Sequence, residues 1–222
     1  MSRCIFYLLT LLLMLPTTAL SGNYEDRFKQ QLESAERGSR EAQREVGLLY
    51  LWGQGVDKNF RSAFGWFERA AFQGDDIAQY QLGYAYQLGQ GVQKNDALAF
   101  KWFEIAAING NKSGQYELAL AYRFGHGVKK DSEQAFRWML AAAKSDNSEA
   151  QSIVSESYLE GSGTPKNADR AIFWYLVALE NGERFISPAL DVLQKSYSPH
   201  VTKLLKRLAF VCKQSDYQFC EL

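Results

Sequence analysis

Apolar and small residues recur along the middle of the chain at the three-, four- and five-residue intervals of a single buried face on an α-helix. One such block carries Ala78, Leu82, Gly83 and Tyr86, and the next carries Ala99, Trp102, Phe103, Ala106 and Ala107. Asp75 and Asn95 stand before them, with side chains that can accept from the free amides of a first helical turn. Gly89-Gln90-Gly91 and Gly110 follow them, supplying residues that take the left-handed conformation closing a helix. The pattern predicts two helices joined by a glycine turn.

The same unit returns every 36 residues. Trp66, Trp102, Trp138 and Trp174 keep this spacing, as do Tyr50, Tyr86, Tyr122 and Tyr158. So do Gly53, Gly89, Gly125 and Gly161, and their neighbours Gly55, Gly91, Gly127 and Gly163. One cap column reads Ser39, Asp75, Asn111, Asn147, and a second reads Asn59, Asn95, Asp131, Asn167. Residues 39–74, 75–110, 111–146 and 147–182 are therefore four tandem copies without an insertion. The small columns Ala42/Ala78/Gly114/Ala150 and Gly47/Gly83/Ala119/Ser155 let backbones approach, and the Tyr and Trp columns fill the remaining grooves. Gln43, Gln79, Gln115 and Gln151 read as a surface-type column held in register. A helix pair cannot bury its own apolar face, so copies must stack on one another. The expected fold class is all-α, with capping helices at both ends. Residues 23–38 are expected to form the first cap, with Phe28 and Ala35 in the register of Phe64 and Ala71. Residues 183–222 are expected to form the last, as helices at Ala189–Tyr197 and Val201–Cys212 separated by Pro199. The second of these is expected to pack Leu204, Leu208 and Val211 onto copy four.

Charge narrows the possible partners. Lys plus Arg and Asp plus Glu each number 25 in 222 residues, which argues against a nucleic-acid partner because phosphate binding needs a basic footprint. Residues 1–22 have the form of a secretory signal peptide: Arg3, an apolar run from Ile5 to Leu15, Pro16, then small residues. Cleavage after Ala19 or after Ser21 fits equally. The run is about half the length of a spanning helix, so the mature chain is expected in the periplasm or secreted, without membrane insertion. Export would remove Cys4 and leave Cys212 and Cys220, an even pair that a disulfide can join.

The pattern A-x3-L-G-x2-Y-x2-G-x-G-V-x10-W-F-x2-A-A-x2-G resembles the Sel-one-like repeat, a relative of the tetratricopeptide repeat. It is carried by Ala78, Leu82, Gly83, Tyr86, Gly89, Gly91, Val92, Trp102, Phe103, Ala106, Ala107 and Gly110. Copy three departs at Gly114, Ala119 and Asp146, and copy four at Ser155, Thr164 and Leu179. The resemblance implies a right-handed α-solenoid of helix–turn–helix repeats whose concave groove serves as an adaptor or scaffold. A secreted, cysteine-rich branch of the family has been linked to penicillin binding and hydrolysis. No cysteine falls between residues 5 and 211 here, so a cell-wall or β-lactam hydrolase is only the alternative.

No catalytic or metal constellation emerges, and no cofactor is expected: His126 lies within a turn and His200 follows Pro199. Transferring the related solenoids' geometry through Gly83 and Tyr86 selects a stripe on the first helices. Its candidate partner-binding residues are Arg44, Leu48, Tyr80, Tyr84, Gln87, Tyr116, Leu120 and Arg123. They vary between copies while the Tyr, Trp and turn-glycine columns do not, and Tyr and Arg are favoured at binding hot spots. The expected partner is an envelope protein or a peptide segment of one.

Overall fold

The computed structural model describes residues 17–182, 188–215 and 217. Among the described residues there are eleven helices and no strand. The helices are α1 (Thr17–Glu36), α2 (Arg40–Trp52), α3 (Phe60–Phe72), α4 (Asp76–Leu88), α5 (Asp96–Ile108) and α6 (Lys112–Phe124). They continue with α7 (Ser132–Lys144), α8 (Ser148–Glu160), α9 (Ala168–Glu180), α10 (Pro188–Ser196) and α11 (Pro199–Gln214). The chain divides into two compact units, Met1–Gln93 and Lys94–Leu222. Within each, helices that follow one another in sequence pack together, α1 to α4 in the first and α5 to α9 in the second.

Both cap columns act as the sequence predicts. The side chains of Ser39, Asp75, Asn111 and Asn147 each accept from the amide three residues on, as do those of Asn59, Asn95, Asp131 and Asn167. The first helix of every copy stops at a left-handed glycine, with φ of 68° at Gly53 and 80° at Gly125. The next glycine of the turn stacks copy on copy. A Cβ on Gly91 would strike the carbonyl oxygen of Phe60, and one on Gly163 would strike that of Ser132.

A ring pair repeats with the helices. Phe28 meets Tyr50 edge-on at 5.3 Å between centroids, and Phe64 meets Tyr86 at 5.5 Å. In the second unit Phe100 meets Tyr122 at 5.3 Å and Phe136 meets Tyr158 at 5.1 Å. Phe28 thus places α1 in the register of the second helix of a copy. Most of the segment 23–38 expected to form a cap is helical in α1, which begins at Thr17, inside the segment read as a signal peptide. The rest of that segment, residues 1–16, lies outside the described residues.

The glutamine column corrects the sequence reading, because all four side chains are buried. The Nε2 groups of Gln43 and Gln79 donate to the Ala35 and Ala71 carbonyls at 3.2 Å, and those of Gln115 and Gln151 to Ala107 and Ala143 at 3.4 and 3.1 Å. These carbonyls lie at helix C-termini, where the helix supplies too few partners of its own. The Oε1 atoms of Gln43, Gln115 and Gln151 then accept from Gln73, Ser145 and Asn181 of the following helix, at 2.7, 3.1 and 2.8 Å. One amide therefore ties three successive helices. Gln115→Leu should cost about 1 kcal/mol, since it removes two bonds, to the Ala107 carbonyl and from the Ser145 hydroxyl, while the Gly110 amide still satisfies that carbonyl. The urea midpoint checks this, and an unchanged midpoint would remove the tie.

The aromatic positions differ in burial. Trp66, Trp102 and Trp138 are only partly buried, whereas the next position along, Phe67, Phe103, Met139 and Tyr175, is buried in every copy. Phe67 is what makes Gly47 small: a Cβ there would stand 2.6 Å from its ring. In copy four the hydroxyl of Ser155 donates to the Ala171 carbonyl at 2.6 Å, so this departure from glycine stays satisfied in the core.

At the C-terminal end, α10 and α11 pack on α9, whose residues Ala171 to Ala178 are all buried. Pro199 does not separate the two helices; it occupies the first turn of α11 behind the Ser198 cap, where its missing amide is harmless. The packed face of α11 is Leu205, Ala209 and Cys212, while the expected Leu204, Leu208 and Val211 are exposed. Leu204 and Leu205 are adjacent leucines, and periodicity alone does not choose between stripes one residue apart.

Tyr217 completes this cap. Its ring stacks on Trp174 at 6.2 Å, and its hydroxyl donates to Asp146 at 2.6 Å while accepting from Gln151 and Asn181. Asp146 sits where the other copies have glycine and takes the same left-handed backbone, φ 62°. Burial first, then the bond to Asp146, push the Tyr217 phenol up to about 12. An unfolded tyrosine ionises near its ordinary 10, so the buried neutral phenol stabilises the fold below that pH and the benefit fades towards about 12. The stability lost over this alkaline window is expected to be smaller in Tyr217→Phe than in the wild type. Denaturant titrations at stepped pH test it, and equal losses would show that Tyr217 is not the group responsible.

Candidate interaction surface

In the first unit the stripe comes from α2 and α4. Leu48, Tyr80, Tyr84 and Gln87 are all partly exposed. Tyr80 and Tyr84 stand one helical turn apart, with ring centroids separated by 5.5 Å and planes tilted by 54°. Arg44 is committed elsewhere. Its guanidinium donates at 2.8 Å to Oδ2 of buried Asp75, whose Oδ1 caps α4 by accepting from the Ala78 amide at 2.9 Å. The residue expected to meet a partner instead ties copy one to copy two, because a buried carboxylate needs a counter-charge.

In the second unit Tyr116 and Leu120 pack against the core shared by α6 to α9 and the C-terminal helices. Arg123 is exposed, lies 5.6 Å from the centre of the Phe124 ring, and borders a small cleft of about 20 Å³ with Ile153 and Ser157. Glu117, beside Tyr116 in sequence, is partly buried, and desolvation raises its carboxyl above the ordinary range. Sequence reasoning missed Asp75 as Arg44's partner, since a cap residue gives no signal of a second bond across copies.

His126 is exposed and stacks on Phe124 at 5.8 Å, and His200 is exposed at the start of α11. Among the described residues no group of three His, Cys, Asp or Glu side chains is arranged to hold a metal ion. No described helix is long and apolar enough to cross a membrane. Cys212 is buried and disulfide-bonded; Cys220, its expected partner, lies outside the described residues, as does Cys4.

The Sel1 repeat model matches residues 40–75, 76–111, 112–147 and 148–183, each one residue later than the copies read from the sequence. The chain belongs to the Sel1 repeat family. Its fold class is accordingly the all-α solenoid of that family, whose repeats generally mediate protein–protein interaction. It is similar to the crystal structure of a Sel1 repeat protein from Oxalobacter formigenes, with 32% identity and a TM-score of 0.67. That likeness covers 83% of this chain and 76% of the other. The immunity protein Pa5087 from Pseudomonas aeruginosa shares the fold at 19% identity and a TM-score of 0.51, over 90% of this chain and 76% of its own. No curated protein matches the chain.

Proposed function

We propose that this Sel1 repeat chain is a non-enzymatic adaptor of the bacterial envelope that holds a protein segment against the first helices of its repeats. The observation that carries this reading is the tyrosine pair of α4. Tyr80 and Tyr84 keep part of their surface in solvent, next to Gln87, on a helix that buries Ala78, Leu82 and Ala85 and exposes Ile77 and Leu88 at its ends. Two rigid aromatic rings with polar tips offer contact area at low entropic cost, which suits an anchor for another chain. Arg44 is left out of this surface because Asp75 holds it, and Leu48 and Gln87 flank the pair. Tyr116, Leu120 and Arg123 form the corresponding stretch of the second unit.

The envelope address rests on the charged, apolar and small-residue order of residues 1–22. A Cys212–Cys220 bond suits the same oxidising compartment. The test is crosslinking in intact cells followed by capture, comparing wild type with a Tyr80→Ala/Tyr84→Ala variant. Phe72→Ala, at an exposed site outside the stripe, serves as the control. Partners retained by the control and lost by the tyrosine variant are expected. Equal capture by all three proteins would remove the stripe from the function.

A further inference from the structure

The side of α11 that the sequence assigns to the core faces solvent, and it carries chemistry that the repeats do not explain. Leu204, Phe210 and Val211 are 51%, 56% and 50% exposed. With about 3.6 residues per turn, Lys203 and Arg207 fall between Phe210 on one side and Leu204 and Val211 on the other. Lys206 and Lys213 lie on the flank beyond Phe210. The 16 residues of α11 contain no Asp or Glu. None of these four cations makes an ion pair among the described residues. In a chain with no net charge, this helix is a concentrated positive field with apolar side chains standing out of it.

We propose that α11 is a docking helix for an anionic phospholipid surface. Charge complementarity selects a negative partner and disfavours a second copy of this chain, which would bring two such helices into repulsion. The shape selects lipid over an acidic protein. A protein partner is recognised through anchors seated in pockets, whereas here the apolar groups protrude from a convex helix with cations interleaved among them. A fluid surface accepts that arrangement: the leucine, phenylalanine and valine side chains enter the headgroup boundary while lysine and arginine meet the phosphates. The remaining face of α11, Leu205, Ala209 and Cys212, stays bound to the protein, so the helix lies along the surface without entering the bilayer. This site is separate from the tyrosine stripe and stands without it.

Sedimentation of the purified protein with vesicles tests the proposal. Vesicles of equal parts phosphatidylcholine and phosphatidylglycerol are expected to carry the protein down, and phosphatidylcholine alone is not. Charge reversal in Lys203→Glu/Arg207→Glu should weaken binding by about thirtyfold or more, since each cation near such a surface contributes roughly fivefold. Leu204→Ser/Phe210→Ser should weaken it as well, while melting temperatures confirm that both exposed-site variants stay folded. If charge reversal disturbs folding, Lys203→Gln/Arg207→Gln replaces it in the same assay. Equal sedimentation with both kinds of vesicle, or none with either, would overturn the proposal. So would binding untouched by these substitutions, or capture by immobilised polyglutamate without capture by vesicles, which would assign the helix to an acidic protein.

Discussion

Gly163→Ala is expected to lower stability by about 2–5 kcal/mol and to loosen copy four from copy three. Two costs combine. The backbone at Gly163 has φ +73°, where any residue with a Cβ is disfavoured by about 1–2 kcal/mol. The added carbon would also strike the Ser132 carbonyl oxygen and stand 2.6 Å from its carbon and 3.0 Å from Cβ of Phe136. The struck group is backbone at the start of α7, which has no rotamer into which it can retreat. The copies themselves must separate, at the cost of an overpacked core, about 1–3 kcal/mol. In a stacked array each copy is held by its neighbours, so a spoiled interface uncouples unfolding on its two sides. Urea denaturation should show a lower midpoint with a shallower or split transition. Gly65→Ala is the control: its Cβ would meet nothing within 4 Å in the interior of α3, so a gain of about 0.5–1 kcal/mol is expected. If Gly163→Ala behaved like the control, the turn would not be the contact that sets the stacking.

Elements whose cause is local could be read from the chain. A cap needs one oxygen before a helix and a left-handed stop needs one glycine, so both columns and the helix boundaries could be placed from neighbouring residues. Contacts between copies were harder. Gln43 and its column look like surface residues because their partners are carbonyls of the preceding helix, and a carbonyl leaves no mark in a sequence. The column's constancy is visible in the sequence, and the carbonyls that cause it are not. At Arg44 the variation between copies gives no sign of Asp75, 31 residues away, with which its guanidinium pairs. Tyr80 and Tyr84 stand one turn apart and partly exposed on α4, whose Ala78, Leu82, Gly83 and Ala85 are buried. The turn from Leu204 to Leu205 was beyond reach, since either leucine gives α11 an apolar stripe, and only packing against α9 selects one.

The same distinction between local pattern and tertiary cover governs the tryptophans, and it yields the second large effect. Trp174→Ala is expected to cost about 3–5 kcal/mol, the range for emptying a large buried aromatic site. Four tryptophans share one sequence pattern, yet Trp174 is 2% exposed while the other three keep part of the ring in solvent. The difference lies in what stands beyond the helix. Phe173 meets the Trp174 ring edge-on at 5.7 Å, and Tyr217 lies over it nearly parallel, with 13° between planes. Such ring pairs contribute about 0.5–1.5 kcal/mol beyond burial, and Tyr217 would lose its platform together with its hold on Asp146 and Gln151. Trp66→Ala should cost less, about 1–2 kcal/mol, because part of that side chain already meets water and its Arg69 contact at 4.5 Å is a surface interaction. Equal losses at Trp66 and Trp174 would mean that the repeat itself, not the C-terminal cover, decides the energetics. A Trp174 loss that shrinks when Tyr217→Phe is already present would instead trace the excess to the clasp, because two substitutions in one network are not additive.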